Sequence, residues 1–211
     1  MKKKILLGSV VLVVLAGAVA IGAFAYGFRV MTLPTGNMSN TIIPSEHVAV
    51  TKVFSEIKRG DIVIFKRASS PDSLHTSRVI GLPGETIEVR GRDVLINGQK
   101  LPEIRVKVDL SKDDPAANKL LQELSEEGTG EYKVYYDKQT WEDSATDEQG
   151  MKVAVTSPFK IPGGQYFLLG DSRNNSLDSR FWGTVSQDAI LWKAYMIFSS
   201  PVDERVFTKL K

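Results

Sequence analysis

The sequence predicts a mainly β domain that follows a membrane-spanning helix, and two observations lead to this fold class. An uncharged, mostly apolar run extends from Ile5 to Phe28. It is long enough for a helix that crosses a bilayer, which takes about 20 residues. The rest of the chain consists largely of short segments of alternating apolar and polar residues, separated by glycine, proline and asparagine. That pattern is typical of antiparallel strands.

The apolar run has two interpretations, an anchor that stays or a signal peptide that is removed. Lysines at positions 2–4 precede it and favour a cytoplasmic N-terminus, with the main domain on the outer side. Small residues spaced as in a cleavage site, at 18–20 and 23–25, favour removal. We favour a single-pass anchor over residues 1–28, because the run exceeds the ~7–15 residues of an ordinary signal-peptide core.

The strands follow in order along the domain, and one polar segment between them, Arg67 to Thr76, is predicted as a loop because it contains Pro71. Asn97-Gly98 is a strong signal for a two-residue hairpin. The predicted strands are His47–Val53, Ile62–Lys66, Ser77–Leu82, Thr86–Arg90, Asp93–Ile96, Tyr132–Tyr136, Lys152–Thr156, Tyr166–Leu169 and Ile190–Phe198.

One soluble helix is predicted, from Asp114 to Glu127, because three leucines (120, 121 and 124) share one helical face and Pro115 fits the first turn. It falls within a segment that separates two parts of the β domain. We therefore predict a core from residues 29–98 and 161–200, interrupted by an inserted β-rich cap of residues 99–160 with one short helix.

Composition excludes several classes of function. The formal net charge of +2 is too small to indicate nucleic-acid binding. The chain has no cysteine, which excludes disulfides, thiol nucleophiles and thiolate metal sites, and its two histidines are too few for a convincing zinc site. We expect no metal and no cofactor.

The most informative stretch is the loop from Gly170 to Gly183, which holds carboxylates, arginines and serines close together. Asp171 and Asp178 can each pair with Arg173 or Arg180, since a guanidinium offers a rigid fork of donors. A loop fixed by its own ion pairs usually supports a site, although a tight structural turn is the simpler alternative.

This loop resembles the most recognisable box of type I signal peptidases, membrane-anchored Ser/Lys proteases of family S26. Three further boxes occur in the family's order and resemble the nucleophile box, a following strand and the general-base box. They are residues 34–41 (PTGNMSNT), 60–65 (GDIVIF) and 78–85 (RVIGLPGE). The resemblance implies a signal-peptidase-like antiparallel β domain in a bacterial-type plasma (inner) membrane, and removal of signal peptides from exported precursors.

The resemblance also implies which residues form the site, and two of them depart from the family. Asn37 stands where the family has its serine nucleophile, just before Met38, and Ser77 stands where it has its lysine base, just before Arg78. A carboxamide is not a nucleophile of the required kind, and a serine hydroxyl is no base at neutral pH. Drift after loss of catalysis, selection for another role and a deliberate pair of substitutions all fit this departure.

The remaining family positions are retained. Thr35 matches a hydroxyl that assists the oxyanion hole, Ser176 matches a serine that touches the lysine, and Asp178 with Arg180 matches a supporting ion pair. The same residues also fit a purely structural role.

A displaced nucleophile is a further hypothesis, in which Ser39 is activated by His75. The pair requires a base within about 3 Å of the hydroxyl. We favour the simpler interpretation of Ser39 as a turn residue and of His75 as an exposed loop residue.

Three functions fit the sequence. The first is a signal peptidase I family member that acts on the signal peptides of exported precursors. The second is a catalytically silent homologue that binds precursors or a complete signal peptidase. The third is an envelope protein that reuses the fold structurally. Signal peptides and membrane lipid are the expected partners.

Overall fold

The computed structural model describes residues 17, 22, 27–33, 36–52, 56–110, 120–139 and 158–210. Most of the predicted anchor and the position of Thr35 lie outside these ranges, as does the predicted strand Lys152–Thr156. Within the described ranges, no helix has both the length and the apolar character needed to cross a membrane. The anchor remains a prediction.

The described residues form fourteen strands and one short α-helix, with single-turn 3-10 helices between some of them. In chain order the elements are β1 (Arg29–Thr32), β2 (His47–Lys52), β3 (Ile62–Arg67), β4 (Ser70–Gly81), β5 (Thr86–Arg90), β6 (Asp93–Ile96), β7 (Gln99–Lys100), β8 (Ile104–Val108), β9 (Glu123–Glu127), β10 (Lys133–Asp137), β11 (Phe159–Lys160), β12 (Gln165–Leu169), α1 (Ser179–Trp182), β13 (Val185–Ser186) and β14 (Ile190–Ser199).

The strands are arranged in three sheets. A seven-stranded sheet has the order β1-β2-β14-β3-β4-β12-β13, a four-stranded sheet has the order β11-β5-β6-β7, and a three-stranded sheet has the order β10-β8-β9. Neighbouring strands are antiparallel except β8 and β10, which are parallel. The mainly antiparallel β architecture predicted from the sequence is therefore confirmed for the described residues.

The core is continuous from the largest sheet to the three-stranded sheet. One cluster of buried side chains joins Ile80 of β4 and Phe167 of β12 to Ile87 of β5 and Val134 of β10. In β6, β10 and β12, alternate residues face this interior, as the period of two in the sequence predicts. The three-stranded sheet lies within the predicted insertion, whereas β7 and β11 pair into the sheet of β5 and β6. The domain boundaries themselves stay a prediction.

The hairpin signal at Asn97-Gly98 is confirmed, because the two residues connect β6 to β7 with φ values of 51° and 78°. Positive φ at both central positions is what a tight primed turn requires, and asparagine and glycine tolerate it best.

The predicted helix Asp114–Glu127 is wrong over its described part. Glu123–Glu127 forms β9, an edge strand that pairs antiparallel with β8. Leu121 is buried, whereas Leu120 and Leu124 are exposed, so the leucines do not form one apolar face. Pairing with the neighbouring strand outweighs the local helical pattern, which was weak because it rested on few apolar residues.

The predicted loop Arg67–Thr76 is also wrong. Only residues 68 and 69 form the turn, and the strand resumes at Ser70 as the first part of the twelve-residue β4. The segment reads as a loop because its first residues are polar and include Pro71. Proline is tolerated there because one edge of this half of β4 has no strand partner.

Candidate functional site

Asn37 and Ser77 lie together where a single-turn helix, Gly36–Met38, meets β4. The Asn37 Nδ2 donates to the Thr76 carbonyl at 2.6 Å and lies 3.4 Å from the Ser77 Oγ. The Ser77 hydroxyl donates to the same carbonyl at 2.7 Å. Both side chains are thus held by one main-chain oxygen, and neither is activated by a base.

Ser77 is almost fully buried, at 2% exposure. It pairs directly with Val63 of β3, and Val79 lies two residues further along β4, so all three side chains are on the same face of the sheet. Both valines are fully buried. The position opposite Asn37 is therefore a dry, apolar one.

Ser176 lies beside Asn37. Its Oγ is buried and has no hydrogen-bond partner among the described residues. Gly170 allows this approach, since a Cβ at 170 would collide with the Ser176 hydroxyl and would lie 2.7 Å from the Asn37 carbonyl oxygen. The Ser172 N–H donates to that same Asn37 oxygen at 3.0 Å. The loop after β12 thus places an unpartnered hydroxyl at the site.

Asp178 and Arg180 form the ion pair that the loop sequence predicts. The Asp178 carboxylate accepts from the Arg180 Nε at 2.8 Å and also from the Gly170 N–H at 3.0 Å. It caps α1 as well, by accepting from the Arg180 N–H. The second guanidinium arm of Arg180 reaches the Arg173 carbonyl at 2.7 Å. The pair closes the loop on itself beside Ser176.

The other three pairings that the loop sequence allows are not formed. Asp171 pairs with Arg78 of β4 instead, through bonds of 2.8 and 2.5 Å, and Arg173 pairs with Glu103 before β8. All four side chains are buried. The loop is therefore tied to the core sheet and to the three-stranded sheet, rather than only to itself.

Ser39 and His75 are not brought together by a hydrogen bond. Ser39 is buried, and the His75 Nε2 is buried without a partner among the described residues. The His75 ring packs against Phe65 with the ring centroids 5.7 Å apart. Burial lowers the pKa of His75, and the positive charge of Arg67 lowers it further. The imidazole is thus neutral at pH 7 but activates no serine hydroxyl.

One edge of β4 is open next to this site. β4 pairs with β12 only over residues 78–81, whereas it pairs with β3 at Ser70 and over residues 75–78, with a bulge between them. Within the described part of the chain, the edge of β4 that faces away from β3 has no strand partner over residues 70–77. Near the end of this open edge, the Thr76 carbonyl accepts the hydrogen bond from the Asn37 carboxamide.

Metal chemistry has no support in the described residues, which contain no group of three histidine or acidic side chains suited to hold an ion.

Sequence reasoning missed the roles of Arg78, Glu103 and Tyr132. The Arg78 guanidinium stacks over the Tyr132 ring, with its Cζ 4.2 Å from the ring centroid. Nothing local in the sequence signals these contacts, because the partners are far apart along the chain.

The buried tyrosines beside this network predict a loss of stability in alkali. Burial, and secondarily the Glu103 carboxylate, raises the pKa of Tyr132 well above its ordinary value of 10.0. A raised folded-state pKa gives stability that is complete below pH 10.0 and is lost as the pH rises beyond it. We expect the free energy of unfolding to fall by up to about 1.4 kcal/mol per pH unit for this group.

Denaturant unfolding of the chain at several pH values from 9 to 12 measures this slope, and Tyr132→Phe should make it shallower. Equal slopes in the two proteins would contradict the assignment to Tyr132.

Comparison with known proteins gives a consistent result. The family model described as "Signal peptidase, peptidase S26" matches residues 6–199. Signal peptidase I of Leptolyngbya laminosa is 29% identical over 194 residues, which cover 87% of this chain and 75% of that protein. Signal peptidase I of Aquifex aeolicus is 29% identical, with 83% and 77% covered. Signal peptidase I T of Bacillus subtilis is 33% identical, with 82% and 74% covered. A crystal structure of a signal peptidase I from Enterococcus faecalis overlays with a TM-score of 0.38 at 25% identity, over 64% of this chain and 94% of that one.

Proposed function

The chain belongs to the signal peptidase family, peptidase S26, and from this we propose that it receives the signal peptides of exported precursors without cutting them. The observation that carries the proposal is the chemistry of the two side chains at the site, Asn37 and Ser77. The half-buried Asn37 lies against the buried Ser77, yet a carboxamide and a hydroxyl hydrogen-bonded to a carbonyl supply neither nucleophile nor base. The Ser176 hydroxyl, which like the Asn37 carbonyl oxygen lies close to Gly170, has no hydrogen-bond partner among the described residues.

The open edge of β4 supports peptide binding that is independent of catalysis. An extended peptide adds to a free strand edge through main-chain hydrogen bonds, and shallow pockets then select its alternate side chains. Residues 70–77 offer such an edge, and it ends at Asn37. Strand addition needs no reactive side chain, so it survives the loss of the Ser/Lys pair.

The location follows from the predicted anchor. We propose a single-pass protein of a bacterial-type plasma membrane, with residues 1–28 as cytoplasmic lysines and membrane helix and the β domain on the outer side. Precursors that emerge from the membrane with their signal peptides would then meet the open edge directly. Membrane lipid and a complete signal peptidase are the further partners in this proposal.

A competition assay tests the proposal. We expect the purified full chain in detergent to cleave no preprotein, and to slow a complete signal peptidase in proportion to the share of preprotein it binds. The matched control is a synthetic signal peptide whose main-chain nitrogens are methylated at alternate residues. It cannot donate to the open edge, so unlike the unmodified peptide it should not relieve the inhibition.

Two outcomes would contradict this function. Cleavage by the chain alone would make it a working peptidase. An unchanged rate of the complete enzyme at large excess of the chain would show that precursors are not held.

A further inference from the structure

A second feature lies at the other end of the open edge, at the tip of the β3–β4 hairpin. A cavity of about 670 Å³ is walled there by the hairpin, by Trp182 of α1 and by β13. Lys66 and Arg67 at the end of β3 and Pro71 of β4 line it, so it adjoins the first residues of the open edge.

The cations of this cavity are not neutralised by the protein. Neither Lys66 nor Arg67 forms a salt bridge within the described residues, and the nearby carboxylates of Asp72 and Asp188 bond to neither of them. Arg67 is instead held in place, since its guanidinium lies over the Trp182 ring at 5.3 Å and donates to the Ser69 hydroxyl at 2.9 Å.

A second large cavity of the molecule shows the contrast. It measures about 930 Å³ and is also lined by basic residues, among them Arg59 and Lys193. There Arg59 pairs with Glu85 at 2.5 Å and Lys193 pairs with Asp61 at 2.7 Å. Lys58 also lines this second cavity and has no salt bridge within the described residues. The cavity at the hairpin tip differs in that both of its cations, Lys66 and Arg67, lack a carboxylate partner there.

Strand geometry relates this cavity to the site. β3 gives the spacing, because residues 71–74 of β4 bulge opposite Lys66. Val63 pairs with Ser77 and Arg67 pairs with Ser70, so these two pairs are four residues apart along β3, about 13 Å at roughly 3.3 Å per residue. A peptide paired along the open edge with its small residues at Asn37 would therefore place a residue three or four positions away beside Lys66 and Arg67.

We propose that this cavity is a subsite for acidic side chains of the bound peptide, so that the chain selects precursors with carboxylates three or four residues from the small residues of the cleavage region. The inference rests on the proposed function and adds a substrate class to it. Two carboxylate–cation contacts in a partly enclosed site should together favour an acidic peptide by about five- to tenfold.

Fluorescence anisotropy with labelled synthetic peptides tests it. Each peptide carries an Ala-x-Ala segment and, three and four residues away on one side or the other, a pair of aspartates, asparagines or lysines. With the unaltered full chain at low salt, the aspartate peptide of at least one arrangement should bind about five- to tenfold more tightly than the asparagine peptide. The arrangement that does so gives the direction of the bound peptide.

Charge reversal supplies the decisive variant. In the double variant Lys66→Glu with Arg67→Glu, the order should invert, so that the lysine peptide binds most tightly. The matched control, Lys160→Glu with Lys209→Glu, changes the net charge equally at two exposed positions outside the cavity and should keep the original order.

The failure modes are distinguishable. Equal binding of the three peptides would leave the proposed function standing and overturn the subsite. A double variant that loses binding to vesicles with anionic lipid, while its peptide preferences stay unchanged, would assign the cations to the membrane and also overturn it. No binding of any peptide would overturn the proposed function, and the subsite with it.

Discussion

Changing Asn37→Ser together with Ser77→Lys is expected to create signal peptide cleavage in a chain that otherwise shows none. The nucleophile and its base act as a unit, so either change alone should do little. We expect the double variant to cleave a preprotein at least about a hundredfold faster than either single variant, since a positioned general base contributes roughly 10²–10⁴-fold. Its rate should stay below that of a complete signal peptidase.

The surroundings of Ser77 explain why a lysine there should act as a base. The position is 2% exposed, and buried valines on the same face, Val63 and Val79, flank it. Burial disfavours the charged amine and lowers its pKa, which makes it a proton acceptor near neutral pH. The longer side chain must displace local packing, which is why we expect partial activity.

Cleavage of a purified preprotein in detergent, with the cut site read by mass spectrometry, measures the effect. Asn37→Ala with Ser77→Lys is the matched control, because it carries the same buried lysine without a nucleophile and should be inactive. Circular dichroism of both double variants verifies that they fold.

Robust cleavage by the unaltered chain that is abolished by Ser39→Ala would contradict this prediction. It would make the displaced serine the better account, although the structure joins Ser39 to no base.

The β class was predictable because alternation within a strand is a local signal. β6 buries alternate residues, and the boundaries of β2, β5 and β6 came close to the predicted ones. β9 was not predictable, because all five of its residues are exposed and it is a strand only through its pairing with β8. The first half of β4 was missed for a similar reason, since its outer residues are polar and its order comes from β3.

At the site too, contacts between residues close in sequence were predictable, and contacts between distant residues were not. The Asp178–Arg180 pair lies within three residues and was predicted from the fork geometry of arginine. The partners of Asp171 and Arg173 were not, because Arg78 and Glu103 are 93 and 70 residues away along the chain. Within the loop, Asp171 has arginines and Arg173 has carboxylates that are closer in sequence. Only the folded sheet determines which partner each residue uses.

Arg78→Met is expected to cause the largest loss of stability of any single change near the site. Arg78 is fully buried, bonds to both oxygens of Asp171 and donates to the Gly60 carbonyl at 2.8 Å. Burial would lower the pKa of its guanidinium, but the charge of Asp171 and its hydrogen bonds outweigh this and raise it, so the guanidinium is charged at neutral pH. Methionine fills similar space, yet leaves the Asp171 carboxylate buried without its counter-ion, which costs about 3–5 kcal/mol.

Denaturant unfolding at neutral pH measures this loss, and a second variant separates charge from packing. Adding Asp171→Leu to Arg78→Met removes the stranded carboxylate, so the double variant should recover much of the stability that the single variant loses, even though Thr41 then loses its hydrogen bond to Asp171. Arg90→Met is the matched control, because its pair with Glu88 is at the surface and should change the unfolding free energy by no measurable amount. Suppose that Arg78→Met lowered the unfolding free energy as little as Arg90→Met. The Arg78–Asp171 pair would then not be the contact that holds β4 to the loop that carries Ser176. In that case the support for the site would come from the Arg173–Glu103 pair and the core packing around it.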